Sequence, residues 1–260
     1  MTSEQSASAA ATSPAPSAGG ARRSRGWLAF ARDVVVIVLI AILVSFLVKT
    51  FLVRSFYIPS GSMEDTLQVN DRILVDEITP RFSDFARGDV IVFEDPGGWL
   101  PPQEQVAQSP LAEGIDWLMS LVGLSTSDSE DHLVKRVIGL PGDHVVCCNN
   151  LGQITVNGVA IDESAYIKVP TPDAAASGDD FDVTVPAGSL WVLGDNRYRS
   201  KDSRYNTDQP GEGFVPVENV VGRAFLITWP LDRFGLLDFH HDRFSSVPEV
   251  EPDDSQSGDQ

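Results

Sequence analysis

Apolar and polar positions follow three regimes along the chain. Residues 1–21 are Ala, Ser, Pro, Gly and Thr with almost no large apolar side chain, too little to offset the entropy of ordering. Val34 to Val48 then runs without a charge and continues past Lys49 to Val53. As a helix these 20 residues reach about 30 Å, the thickness of a bilayer's hydrocarbon core, with Lys49 near enough to the end to snorkel. From Ser55 onward the pattern shortens to β-rich runs: Phe56–Ile58, Arg72–Val75, Asp89–Phe93, His144–Val146, Gln153–Val156, Phe181–Val185, Ser189–Leu193 and Phe225–Trp229. Asn157-Gly158 and Pro141-Gly142-Asp143 punctuate them as antiparallel turns do.

This predicts a disordered head over 1–30, a single transmembrane helix over 31–54, a catalytic-sized domain over 55–237 and an acidic disordered tail over 238–260. The fold expected for the domain is mostly β, an antiparallel-sheet body with a smaller β subdomain. Residues 96–130 read as an insertion, with an amphipathic helix at Leu111 to Val122 whose Trp117, Leu118 and Leu121 suit either the sheet or a membrane surface.

A basic start before an apolar run is also the outline of a cleaved signal peptide. Those apolar regions span about 7–15 residues and end in a small-x-small site, whereas this run is longer and ends in Lys-Thr-Phe-Leu-Val-Arg. An uncleaved anchor is the expectation. Arg22, Arg23, Arg25 and Arg32 precede the run, against Lys49 and Arg54 at its far end, which favours a cytoplasmic N-terminus and a domain outside the cell membrane. Nineteen Lys and Arg against 37 Asp and Glu leave a net charge of -18, which repels phosphate and excludes nucleic acid as the natural partner. Only Cys147 and Cys148 are present, without a zinc-like Cys/His spacing, so no metal or other cofactor is expected. Adjacent strand residues point to opposite faces, which favours two thiols or an intermolecular bond over a vicinal disulfide.

Three polar segments interrupt the β pattern. Pro59-Ser60-Gly61-Ser62-Met63 lies just beyond the apolar run, in a turn where glycine admits close approach of a ligand. Lys135-Arg136 begins an apolar stretch ending at Gly142-Asp143, so Lys135 can point inward. Gly194-Asp195-Asn196-Arg197 and Ser200-Lys201-Asp202-Ser203-Arg204 form a dense polar loop that needs many hydrogen bonds to be held. With Arg87-Gly88-Asp89-Val90-Ile91-Val92-Phe93, these segments in this order behind one span resemble bacterial type I signal peptidase, the membrane-bound Ser/Lys protease family that removes signal peptides from exported proteins. The resemblance covers residues 30 to 235. Tyr198-Arg199 stand where the family often has Asp-Asn, and the 96–130 insertion is unusual in content; both bear on substrate rather than on the chemistry.

A serine hydroxyl needs a base near neutral pH. His132 and His144 flank the Lys135 motif and make a Ser/His arrangement conceivable, but the resemblance favours Lys135 as general base for Ser62, a known variant of the serine-protease scheme. An ordinary lysine is neutral in about one molecule in 2,500 at pH 7, so burial beside Met63 and Val137 must destabilise the ammonium. The resemblance further implies an oxyanion held by the Ser62 amide and the Ser60 hydroxyl, Ser200 orienting the lysine, and Asp202 paired with Arg204 to brace the loop. The implied activity is a monomeric signal peptidase I at the cell membrane. Its partners are signal-peptide-bearing preproteins, bound as an added β-strand, and membrane lipid. Two alternatives are a Ser/Lys enzyme that cleaves itself or one dedicated partner, and an anchored β-rich binding module.

Overall fold

The structure is a computed structural model and describes residues 22–51, 53–78, 84–101 and 131–250. It divides into two units, Met1–Leu47 and Val48–Gln260. The first contains most of one helix, α1 (Arg22–Phe51, 30 residues). Val34 to Leu39, Ile40 and Ile42 are all exposed, so α1 has apolar side chains on every side rather than along one stripe. Side chains of α1 are described only for Trp27 and residues 29–42. Among the described residues no helix is long and apolar enough to cross a membrane; the expected span lies partly outside them. Of the head expected to be disordered over 1–30, residues 1–21 lie outside the described residues, as do most of the 96–130 insertion and residues 251–260 of the tail, while residues 22–30 form the first turns of α1 instead.

The second unit holds twelve strands: β1 (Val53–Tyr57), β2 (Arg72–Asp76), β3 (Val90–Glu94), β4 (His132–Gly139), β5 (His144–Cys147), β6 (Thr155–Val156), β7 (Val159–Ala160), β8 (Phe181–Thr184), β9 (Ser189–Leu193), β10 (Val215–Pro216), β11 (Val220–Trp229) and β12 (Gly235–Leu236). Eight make a large sheet in the order β1-β2-β11-β3-β4-β9-β10, with β12 paired to β11. The other four make a small sheet, β7-β6-β5-β8. Every strand pairing is antiparallel. The mostly β expectation therefore holds, with a smaller sheet beside the main one. The two-residue strands β7, β10 and β12 are too short for any periodicity to announce.

β3 explains the layering. Val90, Ile91, Val92 and Phe93 are all fully buried, which requires cover on both faces of the sheet. Val90 and Val92 join Phe56, Ile58, Met63 and Leu67 on one face, while Ile91 and Phe93 join Trp99, Leu133 and Val137 on the other. A third cluster lies over the small sheet and includes Val145, Ile154, Val156 and Trp191. Asn157 and Gly158 have φ of 51° and 78°, the left-handed pair that closes a tight hairpin between β6 and β7.

Two further expectations are corrected. The packed domain does not end at 237: Leu237, Phe244 and Val247 are buried, a 3-10 helix spans His241–Phe244, and the Pro248 carbonyl accepts a bond from Asn157 Nδ2 at 3.1 Å. Apolar side chains at spacings of seven and three make little periodic signal, and the acidic residues around them masked it. Cys147 and Cys148 form a vicinal disulfide rather than two thiols. β5 ends at Cys147, so the strand alternation that would separate the two sulfurs does not extend to Cys148.

Candidate active site

Ser62 sits in a run of turns that follows β1. The run is closed by bonds from Glu64 N–H to the Gly61 carbonyl (3.3 Å) and from Leu67 N–H to the Met63 carbonyl (2.7 Å). Met63 and Leu67 are fully buried and anchor it to the core, leaving Ser62 half-buried at the surface. Lys135 reaches it from β4: its Nζ donates to Ser62 Oγ at 2.9 Å and to the Val134 carbonyl at 2.9 Å. Lys135 is 3% exposed, and burial holds its pKa down at about 8 against the pull of Asp202 and Asp195, with Arg204 adding to the lowering. Ser60 Oγ lies 3.4 Å from Ser62 Oγ.

Neither histidine weighed for the base is bonded to Ser62 among the described residues. His144 Nε2 meets Asp182 at 2.6 Å on the small sheet, and the His132 ring packs on Phe56.

The polar loop after β9 clamps this pair. Asn196 N–H donates to the Ser62 carbonyl (3.0 Å) and Asn196 Nδ2 to the Gly61 carbonyl (3.0 Å), so one residue holds both peptide units before and at the serine. Arg136, next to Lys135, makes a fork to Asp195 at 2.9 and 2.8 Å, with both side chains wholly buried. Thr66 joins them, donating to Asp195. Asp202 pairs with Arg204 at 2.7 Å and accepts from Gly194 N–H at 2.9 Å; Arg204 also donates to the Arg197 carbonyl at 2.9 Å. Arg197 is held by buried Glu163. Each buried arginine and carboxylate of this clamp thus has an opposite partner and hydrogen bonds, as burial demands.

Ser200 departs from what the resemblance implies. Its hydroxyl is buried but bonds nothing among the described residues. A Cβ added at Gly194 would run into Ser200 Oγ and the Ser62 carbonyl, so Ser200 packs against the same glycine as the Ser62 backbone, while Lys135 Nζ is held by Ser62 and Val134. Asn196 and Arg136 lay within quoted motifs, but nothing local showed what they would hold. Thr66 and Glu163 carry no sequence signal, since their partners are 129 and 34 residues away.

Beside Ser62 and Lys135, β4 pairs with β3 from His132 to Arg136 but with β9 only from Arg136 onward, so, among the described residues, 132–135 have an open edge. Val137 turns both its N–H and its carbonyl toward Asp89 and Gly88. By alternation Leu133 and Lys135 also face β3, while His132 and Val134 direct theirs to the open side. β1 pairs with β2 alone. The two open edges approach one another where Phe56 meets His132 (5.1 Å between rings) and where Lys135 meets Ser62. A cavity of about 400 Å³ lies elsewhere, lined by Arg54, Glu77, Phe85, Glu94 and Val217 to Val221, and includes none of the dyad.

The family described as signal peptidase, peptidase S26, matches residues 31–229. A probable signal peptidase I of Mycobacterium leprae is 39% identical over 238 residues, covering 82% of this chain and 80% of its own. The signal peptidase I of Mycobacterium tuberculosis is 40% identical over 225 residues, covering 79% and 75%. A crystal structure of a signal peptidase I from Enterococcus faecalis aligns with 28% identity over 54% of this chain and 97% of its own, at a TM-score of 0.34. With nearly 200 matched residues that include every motif around Ser62 and Lys135, the chain belongs to the signal peptidase family, peptidase S26, and is a serine peptidase.

Proposed function

We propose that this chain is a membrane-bound signal peptidase that cleaves preproteins with a Ser62/Lys135 dyad through an acyl-enzyme. The observation that carries the reading is the buried amine 2.9 Å from the Ser62 hydroxyl. With a pKa of about 8, roughly a tenth of the amines are neutral at pH 7, against about one in 2,500 for an ordinary lysine. Neutral Lys135 takes the proton as Ser62 Oγ attacks the scissile carbonyl. The ammonium then gives that proton to the leaving amine, and the neutral amine activates the water that hydrolyses the ester. An oxyanion forms at each addition. The Ser62 N–H, which bonds no other group among the described residues, and the Ser60 hydroxyl are its donors, each such donor contributing about 100- to 1,000-fold.

The open edge at His132 and Val134 suits a substrate added as a strand, with main-chain bonds giving affinity. The apolar run of α1 anchors the chain, with the N-terminus in the cytoplasm and the domain outside. Ser62 follows Val53 by nine residues, which restricts it to bonds near the bilayer surface, where signal-peptide cleavage sites emerge. Lipid contact is further supported by Trp229, Leu231, Phe234 and Leu236, exposed within eight residues. Trp229 and Tyr57 both pair with Arg72, so this apolar corner lies at the end of the sheet from which β1 leads to Ser62. Neither a cofactor nor a second copy enters the scheme.

The test is cleavage of a signal-peptide-bearing preprotein by wild type, Ser62→Ala and Lys135→Ala in lipid vesicles. Wild type alone should release the mature protein; processing by Ser62→Ala would overturn the reading.

A further inference from the structure

His132 begins β4 three residues before Lys135 and takes no part in the chemistry above. Its ring leans on Phe56 with centroids 5.1 Å apart and planes at 55°, so it bridges the open edge of β4 to β1. Both ring nitrogens are buried, and among the described residues neither has a hydrogen-bond partner. Most buried polar atoms have one, and leaving one without is unfavourable because its hydration is lost with nothing in return. His132 is thus a polar group between β1 and the open edge of β4 that the protein's own described residues leave unbonded.

Position decides which part of a substrate it meets. His132 and Val134 share one face of β4, two residues apart, and both turn their backbone groups to the open edge. An added peptide strand has the same period of two, and neighbouring strands align their side chains face by face. Val134 stands next to the dyad, its carbonyl accepting from Lys135 Nζ, so the substrate side chain beside it belongs to the residue that donates the scissile carbonyl. The side chain beside His132 then belongs to the third residue before the cut. β9 occupies β4 beyond Arg136, so the acyl part of the peptide has only the His132 side to run along.

We propose that His132 is a specificity-determining residue whose imidazole hydrogen-bonds a Ser or Thr hydroxyl at the third substrate residue before the scissile bond. The proposal rests on the signal-peptidase reading above. A neutral imidazole offers one donor and one acceptor, and a hydroxyl serves as either, so no change of charge is involved. A site that bonds a hydroxyl disfavours the analogue lacking it. Thr and Val are the informative pair because they match in shape and differ in that one group.

The experiment uses the full chain in detergent micelles and preprotein peptides identical except for Thr, Val, Ser or Ala at that position, with kcat/KM as the readout. Wild type should cleave the Thr peptide about 10-fold better than the Val peptide, the effect of one hydrogen bond. His132→Phe should bring that ratio to about 1, and His132→Gln, which keeps a donor and an acceptor, should hold part of the preference. A Thr/Val ratio near 1 in wild type, or one that survives in His132→Phe, overturns the proposal and leaves the ring as packing for Phe56. If His132→Phe does not fold, His132→Gln and the wild-type ratio decide. Cleavage of none of the peptides by wild type would instead overturn the signal-peptidase reading itself.

Discussion

Lys135 shows how one side chain's surroundings become chemistry. Its folded pKa of about 8 predicts that kcat/KM climbs about 10-fold per pH unit below 8 and levels above it, which a pH–rate profile with a signal-peptide substrate checks. The same shift bears on stability. The unfolded amine ionises near 10.5 and the folded one near 8, so between these values the unfolded chain binds more protons and stability rises with pH. Below pH 8 the penalty is constant, at about 3 kcal/mol. Lys135→Met should therefore abolish cleavage yet raise the thermal midpoint at pH 7; a lowered midpoint would show that the bonds to Ser62 and Val134 outweigh the desolvation. Asp202→Ala acts in the opposite sense. It leaves Arg204 buried without its carboxylate and should cost about 3–5 kcal/mol in urea unfolding.

The elements matter here through what they hold still. The turn carrying Ser62 is short and has few bonds of its own, so its geometry is borrowed from the loop after β9 through Asn196 and Gly194. Asn196→Ala removes the side-chain bond to Gly61 but keeps the backbone bond to Ser62; kcat should fall about 10- to 100-fold with KM nearly unchanged. Gly194→Ala is expected to be more severe, because a Cβ there has no room beside Ser200 and the Ser62 carbonyl. Loss of more than about 100-fold in kcat with an unaltered β-type circular dichroism spectrum is the expected result. Motif spacing showed that these residues belong together. It could not show that Ser200's hydroxyl would be buried without a bond to the lysine or any other described residue, because a rotamer depends on neighbours that sequence order does not reveal.

At the level of the whole chain, the C-terminal segment is part of the body. Phe244 and Val247 complete the cluster over the small sheet, and Arg87 and Asn157 both reach the Pro248 carbonyl. Truncation after Leu237 should lower the denaturant midpoint by an amount equivalent to about 3 kcal/mol or more, the scale of losing one buried phenylalanine. Truncation after Val250 should leave it unchanged. Equal midpoints for the two truncations would return residues 238–250 to the tail.

Sequence alone determined the parts of this protein that depend on local composition and order. Apolar runs marked a long helix and most of the strands, since a period of two or an unbroken stretch follows directly from which faces meet water. The motifs identified the family and paired Ser62 with Lys135 across 73 residues. Only the tertiary structure decided how the pair is supported: that Asn196 holds the serine turn, that Asp195 and Asp202 neutralise buried arginines, that the chain packs to residue 248, and that β4 has an open edge beside His132. The reason is physical. Burial, pKa and hydrogen-bond partners are set by groups brought together from distant segments, and no local pattern encodes which distant group arrives.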